Sequence, residues 1–104
     1  MQEQQPKEPN QEQDTKEQKK PIAVAIITPS GTFPTEDDYR RSEGGQVVAE
    51  ILVLAADKLK LTNTTDWVAY ANDKLLDVNH TFKHNGLHDI VEIEWHKHEG
   101  GGGA

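Results

Sequence analysis

The chain has no cysteine, which excludes disulfides, thiolate catalysis and cysteine-ligated zinc. It is poor in apolar residues: 34% are hydrophobic, and two Trp, two Tyr and two Phe are the whole aromatic complement. No stretch approaches the roughly 18 consecutive apolar residues of a membrane-spanning helix. It is short of positive charge, with 11 Lys and Arg against 18 Asp and Glu and a net charge of -7. That balance argues against general binding to nucleic acid or to an anionic membrane, and Lys19-Lys20 and Arg40-Arg41 are too short as basic runs to reverse it. The N-terminus has no apolar stretch of the kind a secretory signal carries, so a soluble cytoplasmic protein is expected. At 104 residues there is room for one domain.

The apolar shortage is uneven. Residues 1–20 hold no apolar side chain after Met1 and consist largely of Gln, Glu, Lys and Pro. Such a segment cannot bury enough surface to offset its ordering entropy, and a disordered polar tail is expected there. The other end, residues 97–104, is Lys-His-Glu followed by four glycines and Ala104, and reads as a flexible tail. A folded domain is expected over residues 21–96, of a size that folds alone with modest stability.

Within that domain, Ile22 to Thr28 is a β-branched apolar run and predicts a strand. Pro29-Ser30-Gly31 predicts a turn, and Pro34 limits the next strand to something short, irregular or at an edge. Residues 34–45 are polar and predict a loop. Val48, Ile51, Leu52, Ala55 and Leu59 recur at helical spacing over residues 46–60, with Lys58 and Lys60 in the last turn and a stop near Asn63. Trp67 to Ala71 predicts a strand, Asn72-Asp73 a turn, and Lys74 to Leu76 a short further strand. Residues 80–88 read as loop, broken at Asn85-Gly86. Ile90 to Trp95 alternates, Val91, Ile93 and Trp95 against Glu92, Glu94 and His96, and predicts a half-buried final strand. The class is α+β, a mixed sheet of four to five strands packed on one helix.

This order of elements, with a last strand running into a glycine-ended tail, resembles the ubiquitin-like β-grasp family over about residues 21–103. Two stretches carry the resemblance. Tyr70-Ala71-Asn72-Asp73-Lys74-Leu75-Leu76-Asp77 is similar to the family's strand, turn and short strand, with a lysine in the turn. Thr81-Phe82-Lys83-His84-Asn85-Gly86-Leu87 is similar to its Thr-apolar-x-x-Tyr-Asn-apolar loop before the last strand. The long polar N-terminal tail is similar in style to the SUMO branch. Within the family, the chain looks most like bacterial ubiquitin-like proteins encoded beside an activating enzyme, a conjugating enzyme and a JAB-type peptidase.

The resemblance implies a protein modifier rather than an enzyme. Its partners would be those activating and conjugating enzymes, a processing peptidase and the target proteins. It implies no bound cofactor and no metal, the ATP being used by the activating enzyme. Gly100, Gly101, Gly102 and Gly103 would deliver the carboxylate, and Ala104 would be removed first so that Gly103 becomes the reacting end. Lys97, His98 and Glu99 would meet the activating enzyme, and they differ from ubiquitin's apolar-basic alternation. Physical chemistry is consistent with this. Glycine has no Cβ, so its backbone passes a narrow channel, and an extended peptide is held largely through backbone hydrogen bonds. Lys7, Lys16, Lys19 and Lys20 are candidate acceptor lysines, lying in a segment that reaches an enzyme at little structural cost. The positions matching ubiquitin's apolar patch are expected to be Ala69, Glu92 and Glu94, a small and acidic surface.

Other chemistry is thinly represented. His80, His84 and His88 are four apart, as ligands on one helix face would be, but Asn85-Gly86 argues against that helix. His96 and His98 would share a face if the last strand continues and could bind zinc weakly, but solvated histidines are the expectation. Glu36-Asp37-Asp38 could hold a cation but reads first as a polar loop. Ser30-Gly31 and Gly44-Gly45 lack the spacing and lysine of a phosphate-binding loop. Two further function classes stay open: a sulfur carrier of the same fold with a C-terminal thiocarboxylate, and a β-grasp interaction module that is never activated.

Overall fold

A computed structural model of the chain describes residues 20–98. The elements are β1 (Pro21–Thr28), β2 (Gly31–Phe33), β3 (Arg40–Glu43), α1 (Val48–Leu59), β4 (Trp67–Ala71), β5 (Lys74–Leu75) and β6 (Ile90–Lys97). They form a small α+β domain in which a six-stranded mixed sheet carries one helix.

The sheet order is β2-β1-β6-β4-β5, with β3 also paired to β1. The β1–β6 pair is parallel and every other pair is antiparallel. The two longest strands therefore lie side by side in the middle. Their inward residues Ile22, Val24, Ile26, Val91, Ile93 and Trp95 are all buried, and they meet Val48, Ile51, Leu52 and Ala55 of α1 in one core. The alternation of β6 and the helical spacing of α1 are thus both realised.

Residues 34–45 are not all loop. Arg40–Glu43 pairs with β1, from Pro21↔Glu43 to Val24↔Arg40. β2 and β3 are two halves of one strand beside β1, and residues 34–39 are an excursion opposite Ala25 alone. The strand identity of β3 comes from pairing with an apolar neighbour, since its own sequence, RRSE, has no apolar residue.

The turns follow local chemistry. Asn72 and Asp73 both have positive φ (55° and 65°), the requirement of a tight two-residue hairpin whose twist matches its strands. The helix N-terminus has no side-chain cap. Its orphan donors are met by tertiary carbonyls instead, Val48 N–H to His80 O at 3.0 Å and Ala49 N–H to Val78 O at 2.8 Å.

The helix ends a turn before Asn63. Lys60 is left-handed (φ 60°, ψ 39°), its N–H donates to Asp57 O at 3.3 Å, and Leu61 N–H donates to Ala56 O at 2.9 Å. This is the two-bond Schellman closure, made with a lysine where glycine is usual. A left-handed non-glycine residue costs about 1 kcal/mol, and Lys60 is exposed. Lys60→Gly is therefore expected to raise stability by about 0.5–1 kcal/mol, read as a higher urea midpoint at unchanged slope. A lower midpoint would mean that the lysine side chain contributes more than its backbone costs.

Candidate functional site

The end of β6 comes first, because the glycine run follows it. Trp95 anchors this end. It is 5% exposed and meets Trp67 edge-on, with centroids 5.1 Å apart at 70°. Pairing continues past it through Trp67↔Lys97, and His98 N–H donates to Asp66 O at 3.2 Å. The backbone is guided to residue 98, while the Lys97 and His98 side chains are exposed. Glu99, Gly100, Gly101, Gly102, Gly103 and Ala104 lie outside the described residues, as do Lys7, Lys16 and Lys19. Of the four candidate acceptor lysines, Lys20 is described: it is exposed and borders a cleft of about 270 Å³ with Ile22, Leu87 and Asp89.

The sheet face opposite α1 is the second feature. Ala69 does not belong to it. That residue is 1% exposed and part of the core, so it cannot stand in an outward patch. With Ala69 and Ala71 pointing inward, the outward residues of β4 are Val68 and Tyr70. Tyr70 is opposite Glu94 across the pair, and its ring stacks on His96 with centroids 5.9 Å apart at 16°. Glu92 and Glu94 are exposed, as expected. The face therefore mixes Glu92 and Glu94 with Arg41 and with the exposed apolar side chains of Ile27, Leu75 and Ile90, and an aromatic–imidazole pair rather than a small residue lies beside the carboxylates. Tyr39 reaches it from the excursion and donates its hydroxyl to Glu92 Oε2 at 3.2 Å. Accepting that hydrogen bond and carrying negative charge, Glu92 raises the Tyr39 phenol above its ordinary value.

The third feature is the segment between β5 and β6. Phe82 is fully buried, and Asn85 is a buried polar residue, 5% exposed. Its Oδ1 accepts from Asp77 N–H at 2.8 Å, and its Nδ2 donates to Asp77 O at 3.0 Å and Thr81 O at 2.9 Å. Lys74 Nζ donates to Asn85 O at 3.1 Å. One helical turn does form here, closed by Asn85 N–H to Thr81 O at 3.1 Å, and Gly86 ends it at φ 75°. That turn brings His80 and His84 together, while His88 is elsewhere, with Nδ1 2.7 Å from Asp89 Oδ2. The contact holds the Asp89 carboxyl below its ordinary value. His96 is taken up by Tyr70 and by the Lys97 carbonyl, 3.1 Å from its Nδ1.

No helix among the described residues is long and apolar enough to cross a membrane. No protein-family model matches the chain, and no characterised protein matches its sequence.

Proposed function

We propose that this protein is a ubiquitin-like modifier, joined to target proteins through Gly103 after removal of Ala104. The observation that supports this most is the sheet order. A parallel pair of first and last strands at the centre, with one helix over one face, is the arrangement a β-grasp domain requires. It leaves the final strand as a rigid, anchored base with exposed Lys97 and His98 at its exit. Gly103 is five residues beyond His98. Fully extended, that span reaches at most about 18 Å, long enough to enter an enzyme channel while the folded domain stays outside. Lys97, His98 and Glu99 would enter the channel mouth, and Glu92 and Glu94, set among the apolar side chains of the open sheet face, would disfavour readers of an apolar ubiquitin patch.

The test is the intact mass of protein recovered from its source cells, and of protein incubated with a lysate of those cells and ATP. The expected mature species ends at Gly103, and ATP-dependent adducts carry this chain on lysines of other proteins. Replacement of a terminal oxygen by sulfur would favour the carrier reading instead. Retention of Ala104 with no adduct of either kind would sink both and leave an interaction module.

A further inference from the structure

We propose that Asp77, His80 and His84 form a binding site for a divalent transition-metal ion of the zinc class. The proposal is independent of the modifier reading. His80 Nε2 is 3.5 Å from Asp77 Oδ2, and the His80 and His84 rings stack with centroids 4.2 Å apart at 21°. One ligand atom from each of the three residues lies within 4.8 Å of the other two. Ligands on one tetrahedral zinc, with bonds of about 2.0–2.1 Å, stand roughly 3.3 Å apart. Closing that gap requires the side chains to rotate, and all three are exposed.

The backbone beneath them is fixed. The His80 carbonyl caps the helix, Phe82 N–H donates to Gln46 O at 2.9 Å, and the Asn85 side chain ties Asp77 to Thr81. His84 N–H donates to Thr81 Oγ1 at 3.0 Å. Asp77 Oδ1 accepts from Asn79 N–H at 3.3 Å, which leaves Oδ2 turned to His80. Ligands on a held backbone, one of them oriented by its own hydrogen bond, lose little freedom when an ion binds.

The donor set selects the ion class. Two imidazoles and one carboxylate suit zinc and its first-row neighbours, whereas calcium and magnesium prefer oxygen throughout. Three protein ligands leave a fourth position for water or a side chain of a bound partner.

The test is zinc titration of the full-length protein, freed of any affinity tag, followed by calorimetry and by NMR of the histidine rings. Binding of one ion per chain is expected, with His80 and His84 signals moving most. His84→Ala and Asp77→Asn should each weaken binding at least about tenfold, while His88→Ala leaves it unchanged. Backbone spectra of the zinc-free variants establish that each is folded, and both substitutions keep the Asn85 contacts to the backbone. Unchanged affinity in folded His84→Ala, or zinc-dependent shifts confined to His96 and His98, would overturn the assignment. Failure to bind zinc at all would do the same.

Discussion

Asn85→Ala is expected to destabilise the domain by about 3 kcal/mol, out of a total on the order of 5–10 kcal/mol. The side chain makes three hydrogen bonds from a buried position, and all three go to backbone groups of Asp77 and Thr81. Alanine leaves a donor and two acceptors without that partner. The loss would spread, because the segment held by Asn85 also supplies the carbonyls that cap α1 and the buried Phe82. The unfolding midpoint should fall by more than about 10 °C. Asn85→Asp discriminates the cause. A carboxylate can still accept from Asp77 N–H but presents lone pairs to both carbonyls, so it should be at least as destabilising as alanine. Wild-type stability in Asn85→Asp would show that the two Nδ2 bonds contribute nothing.

On the modifier reading proposed above, Gly103→Pro is expected to abolish ATP-dependent attachment to other proteins and to leave thermal unfolding unchanged. Proline removes the backbone donor and fixes φ near about -65°, which an extended channel tolerates poorly. The buried core lies between Ile22 and Trp95, so the substitution is remote in sequence from every core residue. Unfolding followed by circular dichroism and adduct formation followed by mass spectrometry separate the two roles. Unfolding of Gly103→Pro would make the glycine segment part of the fold. Normal folding with normal conjugation would move the reacting end to another glycine, with Gly101 next in line.

What can be read from the sequence follows from patterns with one physical meaning. Val48, Ile51, Leu52 and Ala55 can share a buried face only on a helix, and Val91, Ile93 and Trp95 only on a strand. Asn72-Asp73 tolerates positive φ at both positions. Where the pattern is ambiguous, the structure departs from it. Trp67–Ala71 is apolar at all five positions, so its phase is set by pairing with β6, and Ala69 turns inward. The helix stop is carried by a lysine in a conformation glycine normally takes, and no local signal marks it. The spacing of His80 and His84 is visible, but Asn85-Gly86 speaks against a helix. A single turn is sufficient, and the approach of Asp77 depends on an asparagine side chain eight residues away.

The interrupted strand beside β1 has a consequence for life at high concentration. A continuous flat border would offer a row of unpaired amides and carbonyls to a second copy, a route to aggregation. Here that border is broken by residues 34–39, and its second half displays two exposed arginines, Arg40 and Arg41. The opposite border is β5, only two residues long. Among the described residues, neither of these two borders gives another molecule a long template on which to add a strand. The sheet is thereby guarded against growing from chain to chain.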